Sequence, residues 1–478
     1  MKHRSILYIL PIVLLTTSCK KWLEVEPATQ VRETEQFSTA RGFKDALYGA
    51  YTTAAQRSLY GEELTFGAME IMSQGYDNTT KVDHARLRYA TYDYTNIAVQ
   101  NTINTAWNQM YSAVAQLNLI LKNVDAQKTV FSGSDYNLVK GEALGMRAML
   151  HFDLLRLFAP APASKADAHG IPYMKLFTVQ PQAKQTVQEV IKNCLADLKE
   201  AETLLSVYPQ QDSITSPAGS TTDNFLSYRQ NHFNYWAVKA LIARISLYNN
   251  DKPTALKYAL EVINSKNFRF ITTPEVNTAE ATLNRTATFE HIFSLYVSNL
   301  KTATDLYFKM SPGQNANTKY TISDVRRKEV FEITKGNSTD IRYATTALWN
   351  TSNGIVFPSK LWQVDETGEN YKKRIPLIKL SEMYYIAAEA APTAAEGAGY
   401  LNTVIRARTI PQLATNIDQA TLTNEIYKEY RKDFLCEGQL FFYYKRLNQS
   451  KITGALNSSI TDAQYVWPMP NQEIEFGK

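Results

Sequence analysis

The sequence lacks the features that mark several classes of protein. Its 478 residues include only three cysteines. Cys194 and Cys436 lie far apart in the sequence, so they do not form a zinc-binding motif, and the sequence does not indicate a disulfide between them. Neither sign of charge dominates, since 51 Lys and Arg face 46 Asp and Glu. Without a basic stripe, nucleic-acid binding is not indicated. Beyond residue 18, no segment approaches the run of about 20 apolar residues that a membrane-spanning helix needs.

The usual catalytic constellations are also missing. The sequence has no G-x-S-x-G elbow, no H-E-x-x-H helix and no phosphate-binding glycine loop, and its six histidines lack ligand-type spacing. The adjacent acids Glu62-Glu63 and Asp365-Glu366 could in principle serve glycoside hydrolysis, but such pairs in polar stretches usually form a solvated surface. We therefore predict no catalytic residue, no metal site and no cofactor.

The N-terminus has the pattern of a bacterial export signal. Residues 2–4 are basic, residues 6–15 form an apolar run of ten, and small residues at 16–18 precede Cys19. A run of that length is too short to span a bilayer. A cysteine at this place resembles the lipobox of bacterial lipoproteins, in which the thiol is acylated. We expect residues 1–18 to be a signal peptide, Cys19 to carry acyl lipid, and residues 19–35 to form a tether.

Helical periodicity dominates the chain after the tether. Apolar spacing predicts one helix over residues 37–55, a long one that starts near Trp107, and another over residues 138–158. Thr186, followed three residues later by Glu189, predicts a capping box at the start of a further helix.

The strongest local signal is a tetratricopeptide-type helical hairpin over residues 240–263, with weaker copies at 107–158 and 380–408. Residues 265–375 lack helical periodicity, although a short strand fits at 292–297. We predict a mainly α fold, in which a scaffold of tetratricopeptide-like helical hairpins carries long loop-rich insertions and a few short strands.

Several short blocks occur in a fixed order over nearly the whole chain. They are Cys19-Lys-Lys-Trp22-Leu23-Glu24, Trp107-x3-Tyr111, Gly141-Glu142-Ala143 with Arg147-Ala148, Gly170-Ile171-Pro172, Ile375-Pro376 through Glu382, Leu401-Asn402 with Arg406 and Arg408, and Trp467-Pro468-Met469-Pro470. The ordered set resembles the SusD/RagB family of outer-membrane nutrient-binding lipoproteins. Lys379 and Asp433 stand where that family usually has Arg and Glu.

The resemblance implies a lipoprotein at the outer membrane, facing the exterior, that works with a SusC-type TonB-dependent transporter. Its ligand would be a glycan or, in some branches, a peptide. The resemblance also implies one compact structural domain with an N-terminal half over residues 36–210 and a C-terminal half over 211–478. A scaffold that binds only proteins and a hydrolase are the less favoured alternatives.

Ligand-binding candidates lie in the irregular segments, because the family motifs are largely structural. Glycan capture lays aromatic rings against the apolar side of sugar rings, flanked by polar groups that bond hydroxyls. The candidates are Arg86, Arg88, Tyr89, Tyr92, Asp93 and Tyr94 before the Trp107 helix, and Tyr307, Trp349 and Trp362 in the later insertion. Burial under the loops is the alternative for each of them. Trp107 itself starts an apolar stripe and is assigned to the core.

Overall fold

The computed structural model describes residues 33–77, 84–207, 224–279, 283–310, 318–344, 348–352, 355–364, 370–457 and 459–477. The export signal, Cys19, most of the tether and the boundary near residue 210 lie outside these ranges. The last residues assigned to the tether belong to a first short helix, Glu33–Gln36.

Helices dominate the described residues, which confirms the predicted mainly α fold. The α-helices are α1 Glu33–Gln36, α2 Ala40–Ala54, α3 Ala68–Met72, α4 His84–Ala90, α5 Ile97–Val124, α6 Asp135–Phe158, α7 Pro162–Lys165, α8 Val187–Leu205, α9 Tyr235–Tyr248, α10 Lys252–Asn264, α11 Thr273–Val276, α12 Leu300–Phe308, α13 Asp324–Val330, α14 Ile341–Ala344, α15 Leu380–Ala390, α16 Ala394–Ala407, α17 Gln419–Asp433, α18 Gln439–Arg446, α19 Asp462–Tyr465 and α20 Asn471–Phe476.

Two antiparallel strand pairs accompany the helices: β1 His291–Tyr296 pairs with β4 Arg374–Lys379, and β2 Trp349–Ser352 pairs with β3 Ile355–Pro358. The strand predicted at 292–297 is therefore confirmed. The insertion over 265–375, which lacks helical periodicity in the sequence, also holds the short helices α11 to α14. They have four to nine residues, too short to show an apolar repeat in the sequence.

Side chains that accept backbone N–H groups fix where the long helices begin. The predicted capping box is confirmed: the Glu189 amide donates to Thr186 Oγ1 at 3.2 Å, and the Thr186 amide donates to the Glu189 carboxylate at 2.8 Å. Asn96 starts α5 by accepting the N–H of Ala98 at 3.0 Å. This cap sets the orientation of the first turns of α5, which matter for the site below.

The long helices pack on one another in a series that runs from α2 to α5, α6, α8, α9, α10, α15 and α16. The pairs α5–α6, α9–α10 and α15–α16 are helical hairpins at the three places that the sequence indicated. Close approach depends on small residues: a Cβ on Gly145 of α6 would lie 2.3 Å from the Phe233 ring. One hydrophobic core runs from Phe37 to Trp467 and so joins both predicted halves.

Buried charges join the helices at the family motifs. Arg147 of α6 donates two hydrogen bonds, of 2.7 and 2.8 Å, to the carboxylate of Asp197 in α8. Lys379 and Asp433, where the chain departs from the family pattern, are both satisfied: Lys379 pairs with Glu437 at 3.0 Å, and Asp433 accepts from Arg342 at 2.8 Å. These motifs are therefore structural, as the resemblance implied.

The two cysteines beyond the tether are buried free thiols. Cys194 lies in α8. Cys436 lies in the turn between α17 and α18 and has a φ of 66°, although apolar residues at helical spacing surround it in the sequence. Among the described helices, none is long and apolar enough to cross a bilayer.

Candidate ligand-binding site

A cleft of about 400 Å³ opens where the first turns of α5 meet the loop after α2 and the end of α12. Its lining combines one aromatic ring with many hydrogen-bonding groups. The lining residues are Arg57, Ser58, Glu62, Glu63, Asn101, Thr102, Thr105 and Tyr307. Such an open cleft, with one ring and several polar groups, can offer a polar ligand both ring stacking and hydrogen bonds.

The ring of Tyr307 is held in place by its neighbours. The guanidinium of Arg86 lies 4.1 Å from the centre of the Tyr307 ring and 4.5 Å from that of Tyr320, and it donates to the Thr318 carbonyl at 3.0 Å. Tyr320 in turn stacks on Tyr76, with ring centres 4.5 Å apart and planes 5° from parallel. The cation–π contact and the ring of Tyr320, whose centre lies 4.6 Å from that of Tyr307, hold Tyr307 in place where it lines the cleft.

The carboxylate of Glu62 is held between a cation and this ring. Arg57 reaches it through Nε and Nη2, both at 2.6 Å, and the Tyr307 hydroxyl bonds to it as well. Burial, followed by the negative charge of Glu62, raises the pKa of Tyr307 to about 12. Only 4% of Glu62 is exposed, so the expectation that Glu62-Glu63 forms a solvated surface was wrong. The carboxylate orients Tyr307 and presents an acceptor to the cleft.

Glu63 is half-buried beside Glu62 and accepts the backbone N–H of Ala68 at 3.0 Å. Burial, followed by the charge of Glu62, raises the pKa of Glu63 to about 7. The Glu63 carboxyl group therefore changes charge near neutral pH. On the same wall, the hydroxyl of the buried Tyr89 hydrogen-bonds to Thr102 Oγ1 at 2.7 Å.

The structure thus gathers three of the predicted candidates, Arg86, Tyr89 and Tyr307, at one cleft. Tyr307 lines it, Arg86 supports the ring, and Tyr89 orients Thr102. A direct role of these three residues in ligand binding stays a prediction.

Four further candidates fix the loop between α4 and α5. Arg88 pairs with Asp93 at 3.1 Å. The hydroxyl of the buried Tyr92 donates to the Met72 carbonyl at 2.7 Å, and the Tyr94 hydroxyl donates to the Gln464 carbonyl. These contacts fit a structural role in presenting the start of α5, and a ligand role for the four remains a prediction.

The two tryptophan candidates are buried at other places. Trp349 packs on Phe331 and donates its indole N–H to the Arg342 carbonyl at 2.7 Å. Trp362 donates its indole N–H to Asp305 at 2.5 Å. Neither is among the described residues that line the cleft, and their exposed fractions of 6% and 8% fit packing. Trp107, assigned to the core, is buried as expected.

Sequence reasoning missed most of the cleft lining, including Arg57 and three polar residues of α5. Asn101, Thr102 and Thr105 share one side of the helix at i, i+1 and i+4 spacing. A polar side of a helix only weakly indicates a binding site, because polar helix faces normally contact only water.

Two other cavities differ from this cleft. A larger one of about 600 Å³ follows the middle of α5, where Tyr111 donates to the Pro172 carbonyl and Asn118 to the Met174 carbonyl. A cavity of about 60 Å³ lies among buried ion pairs near Arg408 and has room for only a few waters. Within the part of the chain that the structure describes, no group of His, Cys, Asp and Glu could hold a metal ion.

Comparison with known proteins agrees with this architecture. Residues 21–247 match a family model described as SusD-like, starch-binding and associating with the outer membrane, and residues 308–465 match the SusD family model. The SusD-like protein P38 of Formosa agariphila is 22% identical over 98% of this chain and 96% of its own length.

Solved structures show the same fold. A SusD superfamily protein of Bacteroides thetaiotaomicron superposes with a TM-score of 0.68 at 22% identity, covering 91% of this chain and 98% of its own. A SusD-like carbohydrate binding protein of Bacteroides vulgatus gives 0.70 at 18% identity, covering 92% and 96%. The two family models together account for most of the sequence. The chain belongs to the SusD/RagB family.

Proposed function

We propose that this protein is a lipid-anchored receptor that captures oligo- or polysaccharide at the Tyr307 cleft and delivers it to a SusC-type TonB-dependent transporter. The observation that carries the proposal is the rigid Tyr307 ring in an open cleft surrounded by hydrogen-bonding side chains. A sugar ring has an apolar face that lies well on an aromatic ring, and equatorial hydroxyls that need polar partners around it.

The cleft offers both kinds of contact. The ring of Tyr307 supplies apolar surface, while Asn101 and Thr105 on α5, and the Glu62 carboxylate, supply donors and acceptors. The cleft volume of about 400 Å³ falls in the usual range of about 300–1,000 Å³ for ligand pockets. Because the cleft is open, a longer chain can continue beyond it into solvent.

The lipid anchor and the transporter rest on the sequence and the family. Acylation of Cys19 would hold the protein at the outer membrane, facing the exterior, where the transporter also lies. The family description, which associates such proteins with the outer membrane, supports this placement. Co-purification from detergent-solubilised membranes tests the partner: a TonB-dependent barrel should elute with the protein, and elution alone would count against delivery.

Binding is tested with a soluble form that starts at residue 20 and a panel of polysaccharides, using retardation in native gels. In parallel, calorimetry is run against a pool of peptides. We expect at least one glycan to retard the protein and the peptide pool to give no heat. Binding of peptides alone would replace the glycan by a peptide ligand, and release of sugars from the panel would indicate a hydrolase.

A cleft-filling variant locates the site. Thr105→Trp places an indole in the cleft and should abolish retardation, whereas Thr423→Trp, on an exposed helical threonine of α17, should leave it unchanged. If the glycan retarded both variants equally, it would have to bind at a site other than the Tyr307 cleft.

A further inference from the structure

The larger cleft of about 600 Å³, the α5 cleft, is bounded by α5 from Trp107 to Asn118, by the loop over residues 172–182 and by residues 470–477. Most of its surface is apolar, and Leu176 and Val179 on the loop are 72% and 95% exposed. Apolar side chains that are exposed together in one cleft mark a surface that binds another segment or molecule. The α5 cleft therefore has the character of a docking surface.

The described chain begins at one end of this cleft. Glu33 accepts hydrogen bonds from Lys122 Nζ at 2.8 Å and from Asn123 Nδ2 at 2.9 Å. Lys122 follows Asn118 by four residues, so the two side chains share a face of α5. The ring of Phe177, from the loop that bounds the cleft, lies 5.9 Å from Lys122 Nζ. The tether therefore joins the body of the protein at the Asn118 end of the α5 cleft.

The part of the tether outside the described residues has the composition and the length to cover this surface. Residues 22–25, Trp-Leu-Glu-Val, carry three apolar side chains, and Trp22 precedes Glu33 by 11 residues. An extended chain of that length spans about 36 Å, whereas α5 from Lys122 back to Trp107 is about 22 Å long. Because the cleft has walls on two sides, both faces of an extended segment can meet apolar surface there.

The charges at the other end of the cleft agree with this direction of the tether. Glu473 lines the cleft close to Tyr111, since burial, followed by the charge of Glu473, raises the pKa of Tyr111. Two lysines, at positions 20 and 21, directly precede Trp22. With Trp22 near Trp107, these lysines lie within reach of Glu473, and unlike charges attract. Because the charge of Lys184 also acts on Glu473, this attraction only adds to the apolar contacts.

We infer that residues 22–25 of the tether bind in the α5 cleft. The binding shortens the link between the lipid and the body of the protein. Cys19 precedes Glu33 by 14 residues, or about 46 Å of extended chain, but it precedes Trp22 by three, or about 10 Å. A docked tether would therefore hold the body close to the membrane surface.

Photocrosslinking in the full-length protein, in isolated outer membranes, tests this inference. The photoreactive residue p-benzoylphenylalanine replaces Trp22, and mass spectrometry identifies the crosslinked peptides. We expect crosslinks to residues 107–118 or to the loop over 172–182. Ala115→Trp, which fills the cleft at a half-buried lining position, should remove these crosslinks. Ser112→Trp, at an exposed position of α5 outside the lining, should leave them unchanged.

Crosslinks only to a second copy of the chain, to another protein or to distant parts of this chain would overturn the inference. Crosslinks to the cleft that persist in Ala115→Trp would do the same.

Hydrogen exchange gives a second measurement that leaves the cleft unaltered. In the soluble form that starts at residue 20, Leu23→Asp should speed amide exchange in the loop over 172–182, because a charge in the tether disfavours apolar contact. Thr29→Asp, the same new side chain at a polar tether position, should leave exchange unchanged. Equal exchange in Leu23→Asp and the native form would overturn the inference. Since neither measurement involves glycan, the proposed function stands or falls separately.

Discussion

The buried carboxylate of Glu142 gives the most quantitative prediction about this fold. It lies in α6 with no exposed surface, accepts the Tyr51 hydroxyl at 2.7 Å and His232 Nδ1 at 3.0 Å, and forms an ion pair with Arg229. Burial alone would raise its pKa, but the charges of Arg229 and His232 overcome this and lower the pKa to about 2. The carboxylate therefore ties α2 and the segment before α9 to α6.

Replacing this residue in Glu142→Gln should be costly. A pKa lowered from 4.5 to about 2 corresponds to about 3 kcal/mol of stabilisation of the charged form. The variant also leaves Arg229, itself buried, without its counter-charge, which typically costs about 3–5 kcal/mol. We expect the free energy of unfolding at pH 7 to fall by about 3 kcal/mol in urea titrations followed by tryptophan fluorescence and circular dichroism.

The pH dependence gives an independent readout. Because the folded pKa is depressed, the contribution of Glu142 is complete above pH 4.5 and is lost as pH falls toward 2. The variant should lack this part of the acid destabilisation, and Glu35→Gln, the same change at an exposed position of α1, serves as the control. Adding Arg229→Met to Glu142→Gln should recover stability, since it removes the uncompensated charge. A loss below about 1 kcal/mol for the single variant would refute the reasoning.

Three further predictions concern packing, protonation and thiols. Gly145→Ala should lower the free energy of unfolding by about 1–3 kcal/mol, because its Cβ would meet the Phe233 ring at 2.3 Å. Gly399→Ala, in open space on α16, should raise it by about 0.5–1 kcal/mol, and paired urea titrations that gave both changes the same sign would contradict this. His151 accepts the Met174 N–H at 2.9 Å, and burial lowers the pKa of His151 to about 3. The melting temperature should therefore fall as the pH drops from 6.5 toward 3, and it should fall less steeply in His151→Gln. The same dependence of melting temperature on pH in both proteins would contradict this prediction. In the soluble form, the two buried cysteines should react with Ellman's reagent only after denaturation, and reaction of the native protein would show that they are accessible.

The long helices could be predicted because their signals are local. The capping pair Thr186 and Glu189, the alanine-rich hairpin at 240–263 and the proline that follows α6 each act within a few residues. The short helices of the insertion carried no comparable signal. One such helix, α12, decides the site because it delivers Tyr307, and its nine residues pack through tertiary contacts that periodicity does not show.

The site was only partly predictable for a similar reason. Tyr307 and Arg86 were chosen for residue type, yet they are more than 200 positions apart and meet only in the fold. Glu62 looked like a solvated acid until its ion pair with Arg57 and its burial were known. Trp349 and Trp362 are aromatic residues of the same insertion as Tyr307, and only the fold shows that they are buried away from the cleft with their indole N–H groups bonded.

The role of the Tyr307 ring is the central claim, and the ratio of two dissociation constants tests it most directly. Calorimetry with the glycan that retards the protein most should show binding at least about tenfold weaker for Tyr307→Ala, which removes the ring. Tyr307→Phe keeps the ring and loses the bond to Glu62, so its dissociation constant should stay within about threefold of that of the native protein. Wild-type affinity in Tyr307→Ala, with the fold intact, would contradict the account.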